Sequence, residues 1–395
     1  MSAEQAPARP RWGHKKSLWQ PREPAFWFFA VLLLGGIVAS LILQAAFAQI
    51  SPDGLALSWF LMLVYAVPMF LLIYFLDLYE REPLSLVFGA LLWGAFTATA
   101  LSIISSSGWE ALAFDLLGES ALEWGAAVIA PPVEEILKGC GIVFIALIAR
   151  SEMDDLLDGF VYGAMVGLGF TVVEDVLYFI GVFGGSIGGV LEGFFIRVVA
   201  SGLYGHVLYS GLFGMAVAYY VTRRGTRPLG RRLWVAGGLI LASILGHALW
   251  NSPLLNFFPD NLDGPGAYLQ LMLATTLKGA PLLVFVLLMV RLAHQREHRW
   301  LRAALAGEVG GEGIQSEELE VLEDPSARRR ARNEMKARSG ATAAATLKRL
   351  HRAQIDLAMI STRVEENDHP DLVRQRAYCA LLRKWLVDNT PAARS

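Results

Sequence analysis

The chain has 395 residues, 54% of them hydrophobic and 18% charged, a balance too apolar for an ordinary soluble domain. A net charge of -2 says nothing about nucleic acid, and two cysteines, Cys140 and Cys379, allow neither a disulfide framework nor a cysteine-based metal site. Between Ala25 and Leu292 the apolar residues form runs of about 20, the length that crosses a hydrocarbon core of roughly 30 Å, and the chain beyond His294 is polar.

The polar leader, residues 1–24, carries Arg9, Arg11, Lys15, Lys16 and Arg22, and the run that follows it, 25–50, is too long for the apolar core of a signal peptide. Seven more runs fall near 56–76, 84–107, 122–149, 156–181, 190–221, 233–251 and 268–292. The loop between the sixth and seventh holds Arg223, Arg224, Arg227, Arg231 and Arg232, while the alternate loops near Ser51, Gly108, Gly184 and Asp260 hold neither Lys nor Arg. That alternation obeys the positive-inside rule for an even number of spans with both termini in the cytosol. The expectation is therefore an all-α, polytopic bundle of about eight transmembrane helices in the cell membrane. It divides into a cytosolic leader (1–24), a transmembrane domain (25–292) and a helical cytosolic tail (293–395). The tail is Ala-, Arg- and Lys-rich from Ser326 to Lys348 and helix-patterned to about Val387, a solvated, membrane-surface segment to which no chemistry is assigned. The Gly-rich stretch Gly181 to Gly189 reads as a linker, with a substrate gate as the sharper alternative.

The informative residues are polar ones at membrane depth. The fourth run contains Pro131-Pro132-Val133-Glu134-Glu135-Ile136-Leu137-Lys138. Three ionised groups at mid-membrane cost roughly 8–10 kcal/mol, more than the aliphatic residues of one span offset, so this helix must face protein or water. Glu134 and Lys138 have the spacing of a helical ion pair, Glu135 points about 100° away without a local partner, and the proline pair should kink the span. The fifth run begins Asp158-Gly159, repeats glycine at 159, 163 and 167 as a stripe for close helix packing, and ends in Phe170, Glu174 and Asp175. Two adjacent carboxylates in an apolar run need a proton, a metal or a histidine. The sixth and seventh runs offer two histidines, each with a small polar residue four positions on: His206 with Ser210 and His247 with Asn251. Arg197 and Lys278 read as snorkelling or pairing residues.

Taken together, the turn Asp77-Leu78-Tyr79-Glu80-Arg81-Glu82-Pro83, the Glu134-Glu135-x-x-Lys138 block, the Asp158-Gly159 to Phe170 stretch with its acidic pair, and the two histidines resemble the PrsW family of intramembrane proteases over roughly residues 60–290. The resemblance implies the wider group of CAAX prenyl proteases and bacteriocin-processing enzymes. It implies that Glu134 or Glu135 activates water, and that His247 with Asn251 binds an oxyanion or positions substrate. The chain departs from the CAAX branch in having Glu174 four residues after Phe170 where that branch has histidine. It departs from the usual PrsW pattern in having Asp175 where Asn stands, which leaves the role of Asp175 open.

The functional expectation is peptide-bond hydrolysis in a membrane-anchored protein substrate within the lipid bilayer, with no role for nucleic acid. Glu134 or Glu135 with His206 activates water, and His247 with Asn251 stabilises the tetrahedral intermediate. Lys138 and Asp175 are substrate-positioning or structural. Glu174, His206 and His247 together could supply the mixed nitrogen and oxygen ligands that zinc accepts, although no His-Glu-x-x-His motif is present. The alternative is a proton-coupled transporter, because intramembrane carboxylates and histidines also relay protons, but no long inverted repeat supports it.

Overall fold

A computed structural model describes residues 17–76, 81–118, 120–200, 203–254, 265–362, 364 and 366–390. The turn residues Asp77 to Glu80, the leader residues Arg9, Arg11, Lys15 and Lys16, and the loop at Asp260 lie outside the described residues. The contacts divide the chain into two compact units, one within Lys15–Arg291 and one within Leu292–Ser395. Among the described residues there is no β-strand, only one isolated bridge between Val309 and Ile314.

In the first unit, prolines stand in the first turn of three of the first six helices, as expected where that turn has no acceptor for its N–H groups. Helix α1 (Pro24–Ile50) and α2 (Pro52–Tyr74) meet at Ser51, whose hydroxyl caps α2 by accepting from Gly54 N. α3 (Leu84–Leu92) runs through a π-turn (Trp93–Ala98) into α4 (Thr99–Leu117), so Gly108, expected in a loop, lies inside a helix. The run expected as one kinked span at 122–149 is two helices, α5 (Ser120–Val128) and α6 (Ala130–Ile148). Pro131 and Pro132 occupy the first turn of α6, where they start a helix instead of bending one. α7 (Leu156–Gly181) follows, capped by a reciprocal pair in which Asp155 and Asp158 each accept from the other's backbone N–H. α8 (Ile187–Phe194) and a second π-turn (Phe195–Ala200) lead to α9 (Gly205–Thr222), bent 46° from the helix before it. α10 (Leu229–Asn251) and α11 (Pro265–Leu305) complete the apolar set.

Six of these helices are long and apolar enough to cross a membrane, or seven if the bent pair ending in α9 is one span. The remaining expected span is α5 with α6, whose Glu134, Glu135 and Lys138 make it too charged to qualify on composition. α7 is the most enclosed of the six candidates. Its glycine stripe explains why: a Cβ at Gly159, Gly163 or Gly167 would sit 2.3, 2.1 or 2.2 Å from the carbonyl oxygen of Gly214, Ser210 or His206. The backbones of α7 and α9 are therefore in direct contact along three turns. On another face of α7, Gly169 is equally tight against the Leu91 carbonyl. The Gly-rich stretch after α7 is fastened at one point, where Ser51 Oγ donates to the Gly185 carbonyl at 2.7 Å.

The second unit is helical too, with α12 (Ser316–Glu323), α13 (Pro325–Ser361, broken at Gly340, φ 85°) and α14 (Pro370–Asn389). Leu350, Ala353, Tyr378, Cys379, Leu382 and Leu386 form its core, with Trp385 packed against them. Arg376 to Glu308 and Arg383 to Glu318, both at 2.6 Å, tie its segments together.

Candidate active site

Helices α6, α7, α9 and α10 bring the polar residues to one level. Glu134 lies in the second turn of α6 and His206 in the first turn of α9, while Glu174 and His247 lie in the last turns of α7 and α10. The contact between α7 and α9 through the glycine stripe sets Glu174 against His206, Oε2 to Nε2 at 3.0 Å.

At the centre is Lys138, fully buried, with Nζ 2.6 Å from Glu135 Oε1, 3.3 Å from Glu134 Oε2 and 2.9 Å from His206 Nδ1. It also stands 4.0 Å from the centre of the Phe170 ring. The expectation that Glu135 has no local partner was wrong: a residue three positions on lies only about 60° around the helix, so Lys138 sits between the two glutamates and nearer to Glu135. A lysine ammonium only donates, so His206 Nδ1 accepts and, in the neutral ring, the proton on Nε2 donates to Glu174.

The two glutamates differ in surroundings. Glu135 is fully buried and accepts from Lys138, from His247 Nδ1 at 3.0 Å and from Ser210 Oγ at 3.2 Å, while Ser243 Oγ stands 3.5 Å away and donates to the Tyr209 carbonyl at 2.7 Å. Glu134 has Lys138 as its hydrogen-bond partner and stands 3.9 Å from both His206 Nδ1 and His247 Nε2. It opens onto a cavity of about 170 Å³ whose walls include Glu174, Asp175, Arg197, His206, His247 and Asn251. Neither Glu135 nor Lys138 lines that cavity.

The acidic pair on α7 shares one cation, a residue from the π-turn. Arg197 donates through Nε to Asp175 at 2.5 Å and through its terminal nitrogen to Glu174 at 2.8 Å, and it lies 3.7 Å from the centre of the Tyr178 ring. The pairing role expected of Arg197 is thus observed. The other expected pairing residue, Lys278, donates to the Ser252 carbonyl at 2.6 Å. Asn251 donates to the Ala126 carbonyl at 3.0 Å and faces His247 Nε2 at 3.3 Å.

Sequence reasoning missed Tyr209, which stacks on His247 with ring centres 4.8 Å apart, and Ser243. Ser243 was findable: it stands four residues before His247, the spacing that picked out Asn251 four residues after it. Asp158 and Glu82, both in the motif stretches, serve the opposite end of α7. Asp158 caps the helix there, and Glu82 accepts from the Tyr162 hydroxyl.

Glu134, Glu135, His206 and His247 each present one ligand-type atom, all within 4.8 Å of one another. Two carboxylates and two imidazoles are a donor set that zinc accepts. Of the three residues considered for zinc, His206 and His247 are in this group, and Glu174 faces His206 through its other nitrogen.

The sequence model of the "PrsW family intramembrane metalloprotease" matches residues 82–290, more than half of the chain. The chain belongs to the PrsW family. It is an intramembrane protease with a protein substrate in a membrane, and its apolar helices make it a multi-pass membrane protein. It is 28% identical over 179 residues to the Protease PrsW of Clostridioides difficile, which covers 45% of this chain and 71% of that protein. Against the Protease PrsW of Geobacillus kaustophilus the identity is 33% over 27% of this chain, and against that of Bacillus subtilis 31% over 29%, with under half of either relative covered. No solved structure matches the chain.

Proposed function

We propose that this PrsW-family protein hydrolyses a peptide bond of a membrane-anchored protein substrate with Glu134 as the general base. The observation that carries this assignment is the asymmetry of the paired glutamates: Glu134 opens onto the cavity, while Glu135 is closed off and held by Lys138, His247 and Ser210. A base must reach the water it deprotonates, and only Glu134 of the two can. His206, held by Glu174 on Nε2, orients the water from the opposite wall through Nδ1 once Lys138 releases that nitrogen. Asn251 is the oxyanion donor: a substrate carbonyl replaces His247 Nε2 as the acceptor of its amide hydrogen. Glu135 and Lys138 act as positioning residues, and Asp175 is structural through Arg197.

The family's description as a metalloprotease fits the donor types, and Glu134, Glu135, His206 and His247 would hold the ion, zinc by their chemistry, with the Glu134 oxygen that does not bind it left to act as the base. Such an ion would polarise the substrate carbonyl and acidify its bound water. Lys138 hydrogen-bonds three of these four residues, so it would have to turn away to admit the ion. The paired-Glu block with Lys138 and the His247-x-x-x-Asn251 spacing support placing the chain in the wider group of CAAX and bacteriocin-processing proteases. The arginines at the cytosolic ends expected from sequence support a cell-membrane protein of eight spans with both termini in the cytosol. Family membership does not favour the proton-coupled transporter.

The deciding experiment reconstitutes purified full-length protein with a membrane-tethered reporter. Glu134→Gln should lower cleavage by at least about 10²-fold while the protein stays folded. Wild-type-like cleavage by Glu134→Gln would overturn the assignment. Metal content of the purified protein, with cleavage before and after chelation, reads the zinc requirement in the same preparation.

A further inference from the structure

The opposite end of the bundle carries a second cavity with a different chemistry. Between α6, α9 and α10 lies a cleft of about 840 Å³, walled by Val143, Leu147, Phe213, Val217 and Ile240. Its lining also includes three arginines, Arg150 just past the end of α6, Arg224 just past the end of α9 and Arg232 in the first turn of α10, and no acidic residue. Along α6, Arg150 is 16 residues from Glu134, roughly 24 Å of helix, so the cleft is separate from the active site.

None of the three guanidinium groups is paired with a carboxylate among the described residues. Arg232 is only 8% exposed, yet its Nε and terminal nitrogen both donate to one neutral acceptor, the Tyr220 carbonyl, with its guanidinium 4.3 Å from the Tyr220 ring centre. A buried cation without an anion is an unfavourable arrangement that a bound anion relieves. Arg150 and Arg224 are exposed at the same rim. An apolar slot between membrane helices, ending in three uncompensated guanidinium groups, matches a molecule with an acyl chain and an anionic head.

We infer that this cleft binds one anionic phospholipid, its phosphate held by Arg150, Arg224 and Arg232 and one acyl chain lying between α6 and α10. Charge complementarity selects the occupant: basic pockets between membrane helices take acidic lipid head groups, and guanidinium pairs with phosphate in bidentate fashion. A zwitterionic lipid places a positively charged ammonium group among the same arginines, and a free phosphate has nothing to fill the slot. Gly237 lines the slot, and a Cβ there would meet nothing within 4 Å, so a side chain at this position enters the acyl space without disturbing the helix.

The test is native mass spectrometry of the full-length protein titrated with dioctanoyl phosphatidylglycerol, dioctanoyl phosphatidylcholine or inorganic phosphate. One phosphatidylglycerol should bind saturably, with phosphatidylcholine much weaker and phosphate unable to displace the bound lipid. Arg150→Gln with Arg224→Gln should weaken binding about 30-fold, the effect of two arginine contacts near an anionic surface. Gly237→Phe should abolish binding with all three arginines intact. Both variants should keep the unliganded melting temperature and the cleavage activity of the wild type, since neither touches the active site. The inference is overturned if the two lipids bind alike, if phosphate displaces the lipid, if Gly237→Phe binds as the wild type does, or if the face is instead covered by a second copy of the chain.

Discussion

Arg197 shows how a single residue reconciles chemistry that the sequence left unbalanced. Glu174 and Asp175 are adjacent carboxylates in an apolar helix, and the need for a proton, a metal or a histidine was visible from that fact alone. The arginine that answers it was not, because Arg197 lies 22 residues from Asp175, on the helix that follows the turn after α7. Removing one member of a fully buried ion pair costs about 3–5 kcal/mol; a quarter of the Arg197 side chain is exposed, which brings the expected loss for Arg197→Gln nearer 2–3 kcal/mol. Adding Asp175→Asn removes the surplus negative charge, so the double variant should recover most of that loss in thermal unfolding of the detergent-solubilised protein. If the double variant melts as low as the single one, charge balance is not what Arg197 supplies. Lys138 marks the opposite limit of legibility. Its pairing with Glu134 follows from helical spacing, but its closer approach to Glu135 and its contact with His206 needed the position of α9.

At the scale of elements, the glycine stripe of α7 is the feature the sequence stated most directly. Glycine at 159, 163 and 167 predicts one smooth face, and the structure sets that face against the backbone of α9. The partner helix was not legible, because small residues specify close approach without naming what approaches. The consequence reaches the active site, since His206 sits on α9 and Glu174 on α7. Gly167→Ala puts a methyl 2.2 Å from the His206 carbonyl and must push the helices apart, costing about 1–3 kcal/mol and lengthening the His206 to Glu174 contact. Gly238→Ala on α10 is the control: its Cβ meets nothing within 4 Å, so the helix should gain up to about 1 kcal/mol. Unfolding and reporter cleavage measured on both variants should separate, with Gly167→Ala losing both and Gly238→Ala losing neither. Equal behaviour would mean the stripe is not under contact. The proline pair was less legible for a physical reason. Proline is compatible with either a kink or a helix start, and only the end of α5 at Val128 decides between them.

For the molecule as a whole, hydrophobic runs and alternating loop charge were enough to expect a helical bundle. They left the bend before α9, the split at α5 and the inner architecture of the tail unseen, because hydropathy records burial in lipid and not packing among helices. The tail holds its own consequence of packing. His351 is 7% exposed, and its Nδ1 has no hydrogen-bond partner. Burial, with Arg332 and Arg328 nearby, pushes its pKa down from 6.5 to about 4. The folded tail therefore refuses a proton that the unfolded tail accepts. Its stability is complete above pH 6.5 and falls as pH drops towards 4, by about 3 kcal/mol in total. Cys379 reports this opening: it is fully buried in the same core, and burial raises its thiol to about 12, so the folded tail does not expose it to reagent. In full-length protein carrying Cys140→Ser, reaction of Cys379 with an aromatic disulfide, normalised to an exposed thiol at each pH, should rise by up to about tenfold per pH unit between roughly 6 and 4.5. His351→Gln removes the titrating group and should flatten that slope. A slope unchanged in His351→Gln would assign the opening to some other group and remove His351 from the account.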